Sequence, residues 1–165
     1  MRGQKELYIL LDKLDIQYQY REHPPVITIE EATRYWKNYD SGRCKNIFLR
    51  NHKGNRHYLV ILEHLRQLNM KDLEARLKQG KLTFASEKRL MKYLGLKPGS
   101  VSPFGLINDH SNHVSLFIDK KLLGFDNLSF HPNENTASLI ISRKDFIRFL
   151  EHRGNFYEFL QLYDD

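Results

Sequence analysis

"NIFLRNHKGNRHYLVILE", residues 46–63, contains two runs rich in β-branched, aromatic and other apolar residues, separated by the pentapeptide "HKGNR". Gly54 and Asn55 are good turn residues and the flanking runs read as strands, so this stretch predicts an antiparallel hairpin. Directly ahead of the apolar run, "GRCKNIFLR" (42–50) puts Cys44, Lys45 and Asn46 where the chain is about to enter a sheet. Snorkelling to solvent is the usual fate of such polar residues, and it leaves open why an amine and an amide sit side by side there.

Outward from the hairpin the pattern alternates between helix and strand. Leu7, Leu10, Leu11 and Leu14 recur at helical spacing, which predicts a helix over 4–14, and "IQYQYREH" alternates like a strand. Beyond Pro24 and Pro25, Thr28 and Glu31 have the spacing of a capping box and predict a second helix. "MKDLEARLKQ" and "SEKRLMKYL" are short helical segments, the latter with Ser86 as N-cap and Gly95 as stop. "KPGSVSPFGLIND" reads as a loop, "VSLFID" as a strand, and "SFHPNENTASLIIS" as a turn around Pro132 and Asn133 followed by a strand through Leu139–Ile141. A terminal helix is expected from Ser142, with Asp145 three residues on, to Gly154. Strands interspersed with helices, without linker, repeat or low-complexity segment, predict one compact mixed α/β domain over residues 1–165.

A chain of 165 residues is long enough to bury its own core. Its single cysteine, Cys44, excludes an intramolecular disulfide, and the start "MRGQKELYIL" lacks the apolar run of a signal peptide or membrane span, so a reducing cytoplasm and no membrane partner are expected. Twenty-six Lys+Arg against 20 Asp+Glu give a formal charge of +6, which favours a polyanionic partner. The cations are scattered through Arg43, Arg50, Lys53, Arg56, Lys88, Arg89, Lys92, Lys120 and Lys121, so an anion-binding surface must be assembled by folding.

Most individual groups carry an ordinary reading beside a chemical one. No nucleophile motif surrounds Cys44, and His110 and His113 with Asp109 lack the further ligands a zinc site needs, which makes that segment a surface loop. Phe48, Phe117, Phe146 and Phe149 lie on periodic apolar faces and read as core, whereas Tyr35, Trp36 and Tyr39 fit either packing or base stacking. The Gly/Pro-shaped loop matches no nucleotide-binding pattern; its amides are suited to a carboxylate, a phosphate or a developing oxyanion, and equally to a rigid turn.

The order of three motifs narrows these choices. "KNIFL", then "LGLKPGSVSPFGLIND", then "FHPNENTAS" followed by a strand together resemble the freestanding prolyl-tRNA editing proteins, relatives of the YbaK-like deacylases and of the editing insertion domain of bacterial prolyl-tRNA synthetase. The resemblance runs from "EHPPVITIEEA" to the last helix. It implies an α+β domain with a curved central mixed sheet and surrounding helices, and an enzyme that hydrolyses the ester joining a wrong amino acid to tRNA. For the branch carrying "FHPNENT" the implied substrate is alanine on proline tRNA. The resemblance further implies that Lys45 and Asn46 contact the tRNA end. It likewise implies that Gly99, Ser100, Val101, Ser102 and Pro103, followed by Phe104, form the substrate loop and that His131 lines the amino-acid pocket. Water attack on a positioned, already activated ester needs no covalent nucleophile, metal or cofactor. Expected partners are mischarged proline tRNA and, beside it, prolyl-tRNA synthetase or an elongation factor. A deacylase for serine or cysteine on tRNA and a non-catalytic tRNA- or synthetase-binding module stand as alternatives.

Overall fold

A computed structural model describes residues 1–25 and 41–164. The predicted hairpin is its centre: β2 (Gly42–Asn51) and β3 (His57–Glu63) pair antiparallel from Cys44↔Glu63 to Arg50↔His57. The Asn51 side-chain oxygen accepts the amides of Gly54, Asn55 and Arg56 at 2.9, 3.1 and 3.1 Å, which closes the turn. β2 starts at Gly42, ahead of the apolar run, so Lys45 and Asn46 lie inside the strand, opposite Leu62 and Ile61, and not at its entrance. Backbone pairing, with β6 at Gly42 and Arg43 and with β3 from Cys44, and not side-chain apolarity, fixes where this strand begins.

The other elements are α1 (Lys5–Lys13), β1 (Tyr18–Glu22), α2 (Met70–Leu77), β4 (Leu82–Phe84), α3 (Glu87–Leu94), a 3-10 turn (Pro103–Asn108), β5 (Val114–Asp119), a second 3-10 turn (Lys120–Gly124), β6 (Asn127–Phe130), β7 (Ala137–Ser142), α4 (Arg143–Arg153) and β8 (Tyr157–Leu160). Both expected caps are present: Ser86 Oγ accepts Arg89 N at 3.2 Å and Ser142 Oγ accepts Asp145 N at 3.0 Å, while Gly95 and Gly154 end their helices at φ +66° and +82°. The capping pair Thr28 and Glu31, with Tyr35, Trp36 and Tyr39, lies outside the described residues. Four elements depart from the sequence reading. β4 and β6 are strands where none was expected, "PFGLIN" is a 3-10 turn within the supposed loop, and β8 follows the helix taken as terminal.

The strands form one mixed eight-stranded sheet in the order β1-β7-β6-β2-β3-β5-β8, with β4 on β2. The fold is therefore the mixed α/β class expected. Alternation along β2 sends Phe48 into the larger core with Leu59, Ile61, Leu116, Phe130 and Leu139, and sends Ile47 and Leu49 into a second core with Val60, Leu62 and Leu73. Phe104, Phe146 and Phe149 are fully buried in the larger core, and Phe104 meets Phe149 edge to face at 5.3 Å and Phe130 at 5.9 Å. Each such ring contributes about 1.5–3 kcal/mol by burial, so they anchor the segment of residues 103–108 against the sheet.

Candidate active site at the split edge of the sheet

One edge of β2 is filled by β3 throughout, but its other edge is shared. β6 pairs only at Gly42↔Leu128 and Arg43↔Ser129, in parallel, and β4 pairs only over Leu49–Asn51. Between them the edge at Cys44–Ile47 has no strand beside it among the described residues, and the described sheet is split there. Lys45 and His131 each follow one of the last paired residues, Arg43 and Ser129, by two positions, so strand alternation gives them the same parity.

The Lys45 amine donates to the Arg66 carbonyl at 2.9 Å, next to the Arg66 guanidinium that lies 5.2 Å from the Tyr163 ring centre. His64, two residues from Leu62, is pushed below the ordinary histidine pKa by burial and then by the cations Arg43 and Lys45. Cations and the Glu63 carboxylate, 3.6 Å from Arg66, meet at this corner, beside a His64 imidazole that burial biases toward its neutral form. Asn46 points the other way, toward the larger core, and its side-chain oxygen is buried with no hydrogen-bond partner among the described residues. Lys45 and Asn46, adjacent in sequence, thus address the split from opposite faces.

His131 follows β6 directly. Its Nδ1 lies 2.7 Å from the Ala137 carbonyl, an acceptor only, so Nδ1 carries the proton and Nε2 presents the lone pair. Burial pushes the His131 pKa down, against the opposing pull of that carbonyl, and keeps the ring neutral. His23, which sequence reasoning passed over as the end of a strand, supports this arrangement. Its amide donates to Thr136 O at 3.0 Å, its Nε2 lies 2.8 Å from Ser138 Oγ, and its ring stands 5.8 Å from that of His131. The local signal was the alternation of β1, which continues through His23 and sends it to the face of Ser138.

The glycine-proline loop closes on the same turn. Gly99 has φ +87°, a conformation suited to glycine, and a Cβ there would lie 3.4 Å from Asn135 Nδ2. Asn133 Nδ2 donates to Phe104 O at 3.3 Å and to Gln4 Oε1 at 2.9 Å, and the Gln4 amide donates to Pro132 O at 3.2 Å. The His131 turn and the 99–104 loop are therefore clamped together. Two amides of the loop are committed internally: Ser100 N to Lys97 O and Phe104 N to Ser102 Oγ, both at 3.1 Å. The amides of Gly99, Val101 and Ser102 have no acceptor among the described residues. Phe104 is a core ring and Ser102 is fully buried, so these two hold the loop in place and do not line it.

Two other candidates have structural employment. Burial drives the Cys44 thiol pKa up, and no base stands within its hydrogen-bonding set, which consists of Gly42 O at 3.6 Å. Asp109 belongs to no surface loop: it is buried, its carboxylate accepting the amides of His113 and Val114 and the Asn155 side chain at 3.1, 2.8 and 2.9 Å. His113 Nε2 meets His57 Nδ1 at 2.8 Å, away from His110 on the exposed turn.

Residues 23–149 match the aminoacyl-tRNA editing domain, and the chain belongs to that family. It is 38% identical over 162 residues to the prolyl-tRNA editing protein ProX of Acetoanaerobium sticklandii, covering 98% of this chain and 99% of that one. It is also 33% identical over 155 residues to prolyl-tRNA synthetase associated domain-containing protein 1 of Xenopus laevis, with 92% of each covered. A crystal structure of a candidate trans-editing enzyme for prolyl tRNA synthetase superposes with a TM-score of 0.69 at 19% identity, over 97% of this chain and 99% of that one, and shares its fold.

Proposed function

We propose that the protein is a freestanding deacylase that removes alanine from mischarged proline tRNA, acting in the cytoplasm on tRNA released by, or held beside, prolyl-tRNA synthetase. The family and the relatives named for prolyl-tRNA editing support the class of reaction. The observation that supports this reading of the site is the buried side-chain oxygen of Asn46, which has no hydrogen-bond partner among the described residues and lies on the stretch of β2 between its β6 and β4 pairings. A buried acceptor without a donor costs about 1–3 kcal/mol, which a bound water or substrate donor would recover.

In this reading Lys45 holds phosphate or ribose of the terminal nucleotide, exchanging the Arg66 carbonyl for it. Asn46 accepts a hydrogen bond from the attacking water or the ribose hydroxyl. The Gly99 and Val101 amides donate to the ester oxygen as charge develops on it, and the neutral His131 lines the pocket with an acceptor nitrogen. Hydrolysis then proceeds by direct attack of water on the carbonyl carbon, expelling the ribose oxygen, with no covalent intermediate.

The substrate follows from the limits of recognition by size. A proline pocket discriminates against a smaller apolar side chain by only about 1–3 kcal/mol per missing group, so misacylated alanine must be removed at a second, smaller site. Incubating the purified protein with alanine, serine and cysteine esters of proline tRNA tests the assignment. Rapid loss of the alanine ester is expected; faster loss of another ester reassigns the substrate, and tight tRNA binding with all three esters intact makes the protein a non-catalytic module.

A further inference from the structure

We propose that the β2–β3 turn and α3 form one preassembled cationic face on which the phosphate backbone of the tRNA acceptor arm lies while its aminoacylated end reaches the split edge. The inference rests on the reading of an aminoacylated tRNA as substrate.

Residues 50–56 and 86–97 contain seven cations, Arg50, Lys53, Arg56, Lys88, Arg89, Lys92 and Lys97, against one carboxylate, Glu87. Their excess of six equals the formal charge of the whole chain, +6, so the remaining 19 Lys+Arg and 19 Asp+Glu cancel. Six of the nine scattered cations named from the sequence, all but Arg43, Lys120 and Lys121, are thus gathered by one packing event. Arg89 performs it: its guanidinium donates to Gly54 O at 2.8 Å and approaches His57 Nε2 at 3.0 Å. A Cβ at Gly54 would lie 3.0 Å from Arg89 Nη2, so the turn and the helix meet closely because residue 54 is glycine.

Lys53, Arg56, Lys88, Lys92 and Lys97 are exposed, and none makes an ion pair among the described residues. The turn that carries two of them is fixed by the three amides bound to Asn51, so the charges sit on a rigid scaffold. The eight residues of α3 span about 12 Å. From its end the chain passes through Lys97 and Pro98, which border an open groove of about 400 Å³, into Gly99 of the substrate loop. The cationic face therefore leads to the site.

The recognised feature is backbone, not base. Tyr93, the only aromatic in the two segments, is stacked on His113 at 4.3 Å and packed on His57 at 4.1 Å, and so offers no free platform to a nucleobase. Binding by this face is electrostatic and indifferent to sequence.

The test is a variant in which Lys53, Arg56, Lys88 and Lys92 are all changed to Gln, compared with one in which the three lysines are changed to Arg. Affinity for uncharged proline tRNA and for an unrelated tRNA is measured from 50 to 200 mM salt, alongside hydrolysis of the alanyl ester of a CCA trinucleotide. The neutral variant is expected to bind both tRNAs at least tenfold more weakly at 50 mM salt and to lose up to about 3.6 from the slope of log affinity against log salt, from about 0.9 for each of four phosphate contacts. The Arg variant is expected to bind normally, and both variants to hydrolyse the trinucleotide ester at the wild-type rate. Unchanged affinity and slope in the neutral variant overturn the proposal. So does a loss confined to one tRNA, or a loss of binding to vesicles containing phosphatidylserine with tRNA binding intact. If the wild type hydrolyses no ester, the substrate reading fails, while the salt slopes still decide the surface.

Discussion

Replacement of Lys45 by Met separates a role at the tRNA end from a role in the fold. Met retains an unbranched side chain between the two sheet faces and removes the amine that donates to Arg66 O at 2.9 Å. Loss of one hydrogen bond from a half-buried amine costs about 1–2 kcal/mol. A domain with about 5–15 kcal/mol of stability then remains more than about 99% folded at 25 °C. Removal of a group that stabilises bound substrate and transition state costs about 100- to 1,000-fold in rate. Unfolding of a hundredth of the molecules cannot mimic that loss, so the two explanations differ by a measurable margin. Single-turnover deacylation of Ala-tRNA(Pro) at subsaturating enzyme, where the rate reports binding and chemistry together, paired with urea unfolding of both proteins, provides the comparison. A Lys45→Met rate within threefold of wild type refutes the assignment of Lys45 to the site.

Three further outcomes are expected. Cys44→Ala should deacylate within twofold of wild type, and the native thiol should alkylate slowly, because burial holds it protonated; loss of turnover with an intact fold would make Cys44 the working neighbour. Gly99→Ala forces a side chain onto φ +87° beside Asn135 and should lower turnover at least tenfold, with a stability loss of about 1–3 kcal/mol read from urea midpoints; wild-type turnover would show that the loop geometry is not used. Burial and neighbouring cations lower the His57 pKa from 6.5 to about 4. The unfolded chain therefore binds the proton first, and stability present above pH 6.5 should fall by up to about 3 kcal/mol as the pH drops toward 4. His57→Gln should flatten that dependence in urea unfolding at pH 7 and 5.

Elements with long runs or strong punctuation were legible in the sequence. The hairpin was set by Gly54 and Asn55, α3 by Ser86 and Gly95, and α4 by Ser142 and Gly154. β4, β6 and β8 have three or four residues each, too few for alternation to declare itself, and their strand character comes from partners distant in sequence. The first half of β2 was hidden for a different reason. Residues 43–46 are neither a clean apolar run nor a polar alternation, and from Cys44 to Ile47 one edge of β2 is unpaired among the described residues.

The same contrast holds at the candidate site. Lys45, Asn46, the 99–103 loop and His131 were named from the order of motifs. Spacing did not disclose that Lys45 and Asn46 face opposite sides, that Ser102 and Phe104 are buried supports, or that His23 braces the segment holding His131. His23 lies 115 positions from its hydroxyl partner Ser138, and only the β1–β7 pairing makes them neighbours.

The central claim is that the split edge of the sheet hydrolyses a small amino acid from proline tRNA and spares the correct one. Its most direct test is the deacylation rate of Ala-tRNA(Pro) and Pro-tRNA(Pro) measured side by side with the same enzyme stock. The account requires the alanine ester to be cleared well above the no-enzyme rate while the proline ester decays at that rate; equal clearance of both, or survival of the alanine ester, contradicts it.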